Sequence, residues 1–84
     1  MTGDAMGEGE IEAVVAGVRR GELRLAGGPS DAGWSVRRVG AAVWYASWFQ
    51  HEDGRLDEEG RALADDEVRA LLRRYGRKVI RKAG

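Results

Sequence analysis

Cysteine is absent from this 84-residue chain, so neither a disulfide framework nor a thiolate metal site can brace it. Proline and histidine occur once each, as Pro29 and His51. No apolar run approaches the ~20 residues that a membrane-spanning helix requires. The first twelve residues carry Asp4, Glu8, Glu10 and Glu12, with no basic start and no apolar stretch. No secretory signal is expected there, no membrane partner is expected, and the expected location is cytoplasmic. Formal net charge is zero, so the overall basic excess of many nucleic-acid-binding domains is missing too.

Signatures of catalysis are equally scarce. His51 stands beside Glu52 and Asp53 at an expected solvated turn, with no second histidine and no cysteine to complete a metal site. The hydroxyls of Thr2, Ser30, Ser35 and Ser47 show no nucleophile-elbow pattern, and any triad would have to use His51. The carboxylates Asp57, Glu58, Glu59, Asp65, Asp66 and Glu67 read as a solvated acidic surface rather than a catalytic pair sheltered in a cleft. The turn at Asp53, Gly54 and Arg55 lacks the alternating oxygen ligands of a calcium loop. The glycines at 7 and 9 and at 27 and 28 match neither the Walker nor the dinucleotide spacing. The expectation is a non-enzymatic protein with no cofactor, no metal and no small-molecule substrate.

What the chain does contain is an aromatic block. Trp34, Trp44, Tyr45, Trp48 and Phe49 are five of its six aromatic residues. The apolar share is 43%, ordinary for a folded domain. A chain of this length makes one domain at most and buries only ~60–65% of its unfolded surface, so its core is small. Charge is segregated along it. The start is acidic, basic residues outnumber acids over residues 19–38, and acids dominate residues 52–67. After Glu67 every charge is positive: Arg69, Arg73, Arg74, Arg77, Lys78, Arg81 and Lys82.

Residues 1–7 are small, polar and glycine-rich, and are expected to form a flexible N-terminus before a single small domain over residues 8–84. Residues 8–20 read as a helix, because Ile11, Val14, Val15 and Val18 fall on one stripe. Glutamates occupy its first turn and Arg19 and Arg20 its last, as the helix dipole favours, and Gly21 suits the position that ends it. Leu23 and Leu25 share one face of a short strand. Residues 26–33 read as a loop. Residues 34–50 would be apolar nearly all round as a helix, with charges at both ends opposing the dipole. As strand, Trp44, Ala46 and Trp48 share one face, and Val43, Tyr45, Ser47 and Phe49 the other. Strand is favoured, with His51, Glu52, Asp53 and Gly54 as a hairpin turn and residues 55–57 returning. Residues 58–62 read as the lead into the last helix.

That helix has Val68, Leu71, Leu72, Tyr75 and Val79 on one face, with Asp65, Asp66 and Glu67 at its start. Leu63 and Val68 are spaced as a hydrophobic staple around Ala64, a poor N-cap. Gly76 offers two endings: a stop at Tyr75 followed by a short strand over residues 77–81, or a helix continuing to about Lys82. The stop is favoured because Ile80 would fall off the apolar face.

The fold expected is α+β, a small two-layer domain with N- and C-terminal helices packed on a short antiparallel sheet; the alternative is a three-helix bundle. Aromatic side chains that point to both sides of a strand cannot all be covered by two short helices: one face is expected to pack under the helices and the other to stay partly exposed, and such a patch marks a contact surface. The function expected is a small protein-binding module (an accessory subunit, adaptor or stoichiometric inhibitor) that contacts another protein, or a second copy of itself as a homodimer, through Trp44, Tyr45, Trp48 and Phe49. The alternative is a DNA- or RNA-binding protein using Arg69, Arg73, Arg74, Arg77, Lys78, Arg81 and Lys82 on phosphates, with Arg37 and Arg38 adding to them. A helix–strands–helix order is similar to that of double-stranded-RNA-binding domains, as an analogy of topology alone. Here the last helix opens with three acids, where a phosphate-binding helix is basic.

Overall fold

Four apolar side chains on one stripe of the first helix seed the core, and the sheet is built beneath them. The computed structural model describes residues 5–29 and 31–83. Helix α1 (Glu8–Arg19) buries Ile11, Val14, Val15 and Val18. Strands β1 (Leu23–Gly27), β2 (Ala32–Val39), β3 (Ala42–Gln50) and β4 (Leu56–Ala62) follow, then α2 (Asp65–Tyr75), a 3₁₀ turn (Gly76–Val79) and β5 (Ile80–Lys82). The five strands form one sheet in the order β4-β3-β2-β1-β5, with every neighbouring pair antiparallel. Val68 and Leu72 of α2 join α1 over Leu25 and Val36, and Val79 closes the cluster. The architecture is the two-layer α+β arrangement, and the three-helix bundle is not supported.

Alternation along β3 falls as the strand reading placed it. Leu25 pairs with Val36, and Val36 with Tyr45. Because side chains alternate with period two, Trp34, Val36, Val43, Tyr45, Ser47 and Phe49 face the helix layer. Trp34 packs between Tyr45 and Tyr75, with ring centroids 6.3 and 5.2 Å away, so the last residue of α2 is anchored on the sheet. Arg38 reaches from the same face to two carbonyls, Gly40 O at 2.8 Å and Arg20 O at 3.2 Å. It therefore supplies positive charge to the C-terminal end of α1.

Several boundaries differ from the sequence reading. Residues 34–50 are not one strand but most of a hairpin, turned by Gly40 and Ala41 between the paired Val39 and Ala42. Gly40 has φ +61° and Ala41 does not have a positive φ, the pattern of a two-residue turn with glycine first. The loop expected over residues 26–33 is shorter, since Ala26 and Gly27 complete β1 while Ala32 and Gly33 open β2. Residues 58–62, read as a lead into α2, continue β4, paired from Gln50–Leu56 to Trp44–Ala62. Their charge and glycine content conceals a strand because β4 lies at the sheet edge, where charged residues guard against edge pairing. The expected flexible terminus falls partly on residues 1–4, which lie outside the described residues; residues 5–7 have no regular structure.

Helix α2 stops at Tyr75, with Gly76 at φ +74°. The chain then turns through 3₁₀ geometry before pairing at Ile80, so the strand expected from residue 77 begins three residues later. At its start, Ala64 is the extended N-cap (φ −79°, ψ 159°) with no side-chain cap bond of its own. Only half of a capping box exists: Ala64 N–H donates to Glu67 Oε1 at 3.2 Å. Replacing Ala64 with serine supplies the missing acceptor, and Ala64→Ser is expected to stabilise the protein by ~0.5–2 kcal/mol. An unchanged or lower midpoint in urea denaturation would count against this helix start.

Candidate functional site

The uncovered face of the sheet is the principal candidate. By alternation it carries Ser35, Arg37 and Val39 of β2; Ala42, Trp44, Ala46, Trp48 and Gln50 of β3; and Leu56, Glu58, Gly60 and Ala62 of β4. Arg24 of β1 and Arg81 of β5 extend it. Three of the four exposed large apolar side chains lie here: Trp44 (37% exposed), Val39 (47%) and Leu56 (52%). Between the indoles is a shallow basin of about 490 Å³, lined by Ser35, Arg37, Trp44, Ala46, Trp48, Glu58 and Gly60 among others.

Glycines hold the two indoles in opposite directions. A Cβ on Gly33 would come within 2.5 Å of Trp48, and one on Gly60 within 2.6 Å of Trp44 Nε1. Trp48 therefore lies over β2 and Trp44 over β4, each ring flat on backbone that lacks a side chain. The small side chains of Ser35 and Ala46 leave the floor between them open. This produces an open basin of mixed apolar and polar lining, with Arg37 opposite Trp44 and Glu58 opposite Trp48.

The four aromatic residues expected to form one interface are divided by the strand. Trp44 and Trp48 share the open face. Tyr45 lies on the helix side, half-buried beside Trp34, with the Arg61 guanidinium 5.9 Å from its ring centre. Phe49, 48% exposed, also points to the helix side, at an end of β3 beyond the buried cluster, and meets the His51 ring edge-on at 4.9 Å. A second concavity, of about 360 Å³, runs beside α2 between Tyr45, Arg61, Leu63, Leu71 and Arg74, and the Arg61–Glu67 pair at 2.6 Å spans it. The backbone N–H of Ala64 and the Arg61 guanidinium together hold the Glu67 carboxyl below its ordinary range, Arg61 contributing most.

His51 sits 2.7 Å from Asp57 Oδ2. Among the described residues no three His, Asp or Glu side chains converge as a metal-binding group. Ser35 lies on the open face and Ser47 on the other, so they do not meet. Thr2 and Ser30 lie outside the described residues.

The basic C-terminal stripe is interrupted twice. The helix ends at Tyr75, so the four-residue spacing of Arg69, Arg73, Arg77 and Arg81 does not follow one helix face. Its arginines are also engaged by the acidic start of the chain. Helices α1 and α2 are joined by Arg69 to Glu12 (2.6 Å), Arg73 to Glu8 (3.0 Å) and Arg19 to Asp65 (3.1 Å), and Arg77 of the following turn bonds Glu10. Arg69 also reaches Asp66 at 2.6 Å, and the bonds to Glu12 first and Asp66 second raise its pKa. Arg74 covers the Tyr75 ring at 5.3 Å. Arg81 bonds the carbonyls of Lys78 and Ile80. Among the described residues Lys78 and Lys82 hold no ion pair, and they lie in the 3₁₀ turn and in β5. Of the two further arginines, Arg38 is engaged as described and Arg37 is on the open face.

Residues that sequence reasoning passed over at this site are Gly33, Val39, Leu56, Glu58 and Gly60. The alternation of β3 was legible, but which residues of β2 and β4 flank it depends on register. Compared with family models, curated proteins and solved structures, the chain matches none.

Two measurements test this site and the helix pair. Gly60→Ala should lift the Trp44 indole from β4, raising acrylamide quenching of tryptophan while far-ultraviolet dichroism stays unchanged; equal quenching would show that the ring does not rest there. The Arg77 bond to Glu10 and the Arg69 bond to Glu12 hold both carboxyls below the ordinary 4.5. A depressed folded pKa gives stability that is complete above the unfolded value and lost as pH falls through the folded one. Melting temperature should therefore fall from about pH 4.5 downward. In a Glu10→Gln/Glu12→Gln variant, less stable at neutral pH, that decline should flatten; parallel curves would exclude the pairs as its source.

Proposed function

We propose that this chain is a small non-enzymatic binding protein that docks another protein through the open face of its sheet. The observation that carries this reading is the pair of indoles, Trp44 and Trp48, laid flat over Gly60 and Gly33 on a face that no helix covers. Rigid aromatic side chains flanked by an arginine are the composition of protein interface centres, because they exclude much water at little cost in side-chain entropy. Val39 and Leu56 extend the apolar area to two corners, and Arg37 and Glu58 give it a polarity that can orient a partner. An accessory subunit, adaptor or stoichiometric inhibitor works in this way, by bridging or occluding. The nucleic-acid reading is less well supported, since Arg69, Arg73 and Arg77 already face glutamates within the chain.

Affinity capture from the native host tests the reading. Nuclease-treated wild-type protein should retain a protein partner in near-stoichiometric amount. Trp44→Ser/Trp48→Ser should weaken that capture ~30-fold or more, as loss of an interface anchor worth ~2 kcal/mol does. Retention equal in wild type and variant, or retention abolished by nuclease, would overturn it.

A further inference from the structure

The open face carries four charged side chains that make no ion pair within the described residues. Among the described residues every ion pair lies on the helix layer, in the turns or on the helix side of the sheet. Arg24, Arg37, Arg81 and Glu58 hold none. The arginines also stand side by side. Arg24 and Arg81 are direct cross-strand partners, and one step beyond the Leu25–Val36 pair Arg24 lies beside Arg37. Like charges opposite one another destabilise a sheet, so this row calls for an anionic cover. At the other corner Glu58 stands opposite Trp48, and the nearby β3–β4 turn contains Glu52, which holds no ion pair among the described residues, and Asp53, which is bonded to Arg55 at 2.9 Å.

We propose that the occupant of this face is a second copy of the chain, seated face to face about a two-fold axis, with Arg37 of each copy against Glu58 of the other. The proposal rests on the docking reading above and names its partner. Arg37 lies on the β2 side at the Trp44 end, and Glu58 on the β4 side at the Trp48 end. They occupy opposite corners around the indoles, and a two-fold axis along the other diagonal of the contact plane exchanges them. The same rotation carries Val39, two residues beyond Arg37, toward Leu56, two residues beyond Glu58. It also carries the arginine row toward the acidic β3–β4 turn of the second copy. Such a contact is isologous and closes on itself, and the strands of the two sheets cross steeply, in the orthogonal mode of sheet packing.

The size of the face agrees. Strands of 5, 8, 9, 7 and 3 residues, at ~3.4 Å per residue and ~4.8 Å apart, present on the order of 500 Å² in projection, the same order as the ~800 Å² per partner of a stable interface. A single-stranded nucleic acid would also use indoles and arginines, but a strand running from Trp44 to Trp48 would pass Glu58 and the acidic turn. A second copy satisfies both corners.

Light scattering and sedimentation on purified protein from roughly 1 µM to 1 mM test this. The expected mass is twice the 9.2 kDa of one chain. Arg37→Glu and Glu58→Arg should each weaken association at least tenfold, and mixing the two variants should restore it, because every cross-contact is then again between opposite charges. Both positions are surface sites, and circular dichroism verifies that the variants fold. A monomer throughout, a dimer indifferent to the reversals, no restoration on mixing, or tryptophan quenching by a short oligonucleotide without any dimer would each overturn the proposal. A monomer whose host capture still depends on Trp44 and Trp48 would remove the second copy and leave the docking reading; capture independent of them would remove that reading itself.

Discussion

Burial of the α1 stripe against Leu25 and Val36 is the interaction on which the remainder of the structure depends. Two short helices must supply one complete apolar layer, and they do so side by side on the same face of the sheet. Val68 and Leu72 extend the layer from α2, while Trp34, packed between Tyr45 and Tyr75, seals its margin. A small domain has no more helix than this, so the second face is left bare. The open face is thus a direct consequence of how little apolar helix surface the chain has.

Period-two alternation converts that shortage into a surface with a definite character. Each step along β3 sends one aromatic ring toward the helices and the next away from them. The rings sent away find glycine on the adjoining strands, Gly33 and Gly60, and lie down on them. Apolar side chains placed this way are fixed without being covered, which is the condition under which association costs little ordering. The charge pattern belongs to the same division of labour. Acids of α1 meet arginines of α2 and the following turn, so the segregation along the chain is partly resolved between the helices, while Arg24, Arg37, Arg81 and Glu58 on the open face are left without an ion pair among the described residues.

Elements with a strong local period were legible. The valine stripe, the acidic first turn and basic last turn of α1, the apolar face of α2 and the stop at Gly76 all follow from side-chain spacing and helix-end chemistry. The turn at Gly54 and the two faces of β3 were legible too. The Gly40–Ala41 turn was not, because apolar residues on both sides masked it as one continuous strand. Strand β4 was hidden for the opposite reason: Asp57, Glu58, Glu59, Gly60 and Arg61 have no β-forming character of their own, and their pairing with β3 is what makes them a strand. Of the four aromatic residues expected at the contact surface, Trp44 and Trp48 lie on the open face and Tyr45 and Phe49 on the helix side, the division that strand alternation already implied.

By itself the sequence determined the first and last helices, the absence of disulfide and thiolate chemistry, and an excess of aromatic surface, all of which arise within a few residues of one another. Only the tertiary structure decided the strand order, that Arg69, Arg73 and Arg77 are engaged by Glu12, Glu8 and Glu10, and that Arg37 stands opposite Trp44 and Glu58 opposite Trp48. Those facts rest on strand register and helix placement, which join residues as many as 67 positions apart. Local spacing has no means of encoding such pairs; they exist only once the apolar stripe has chosen the surface it will cover.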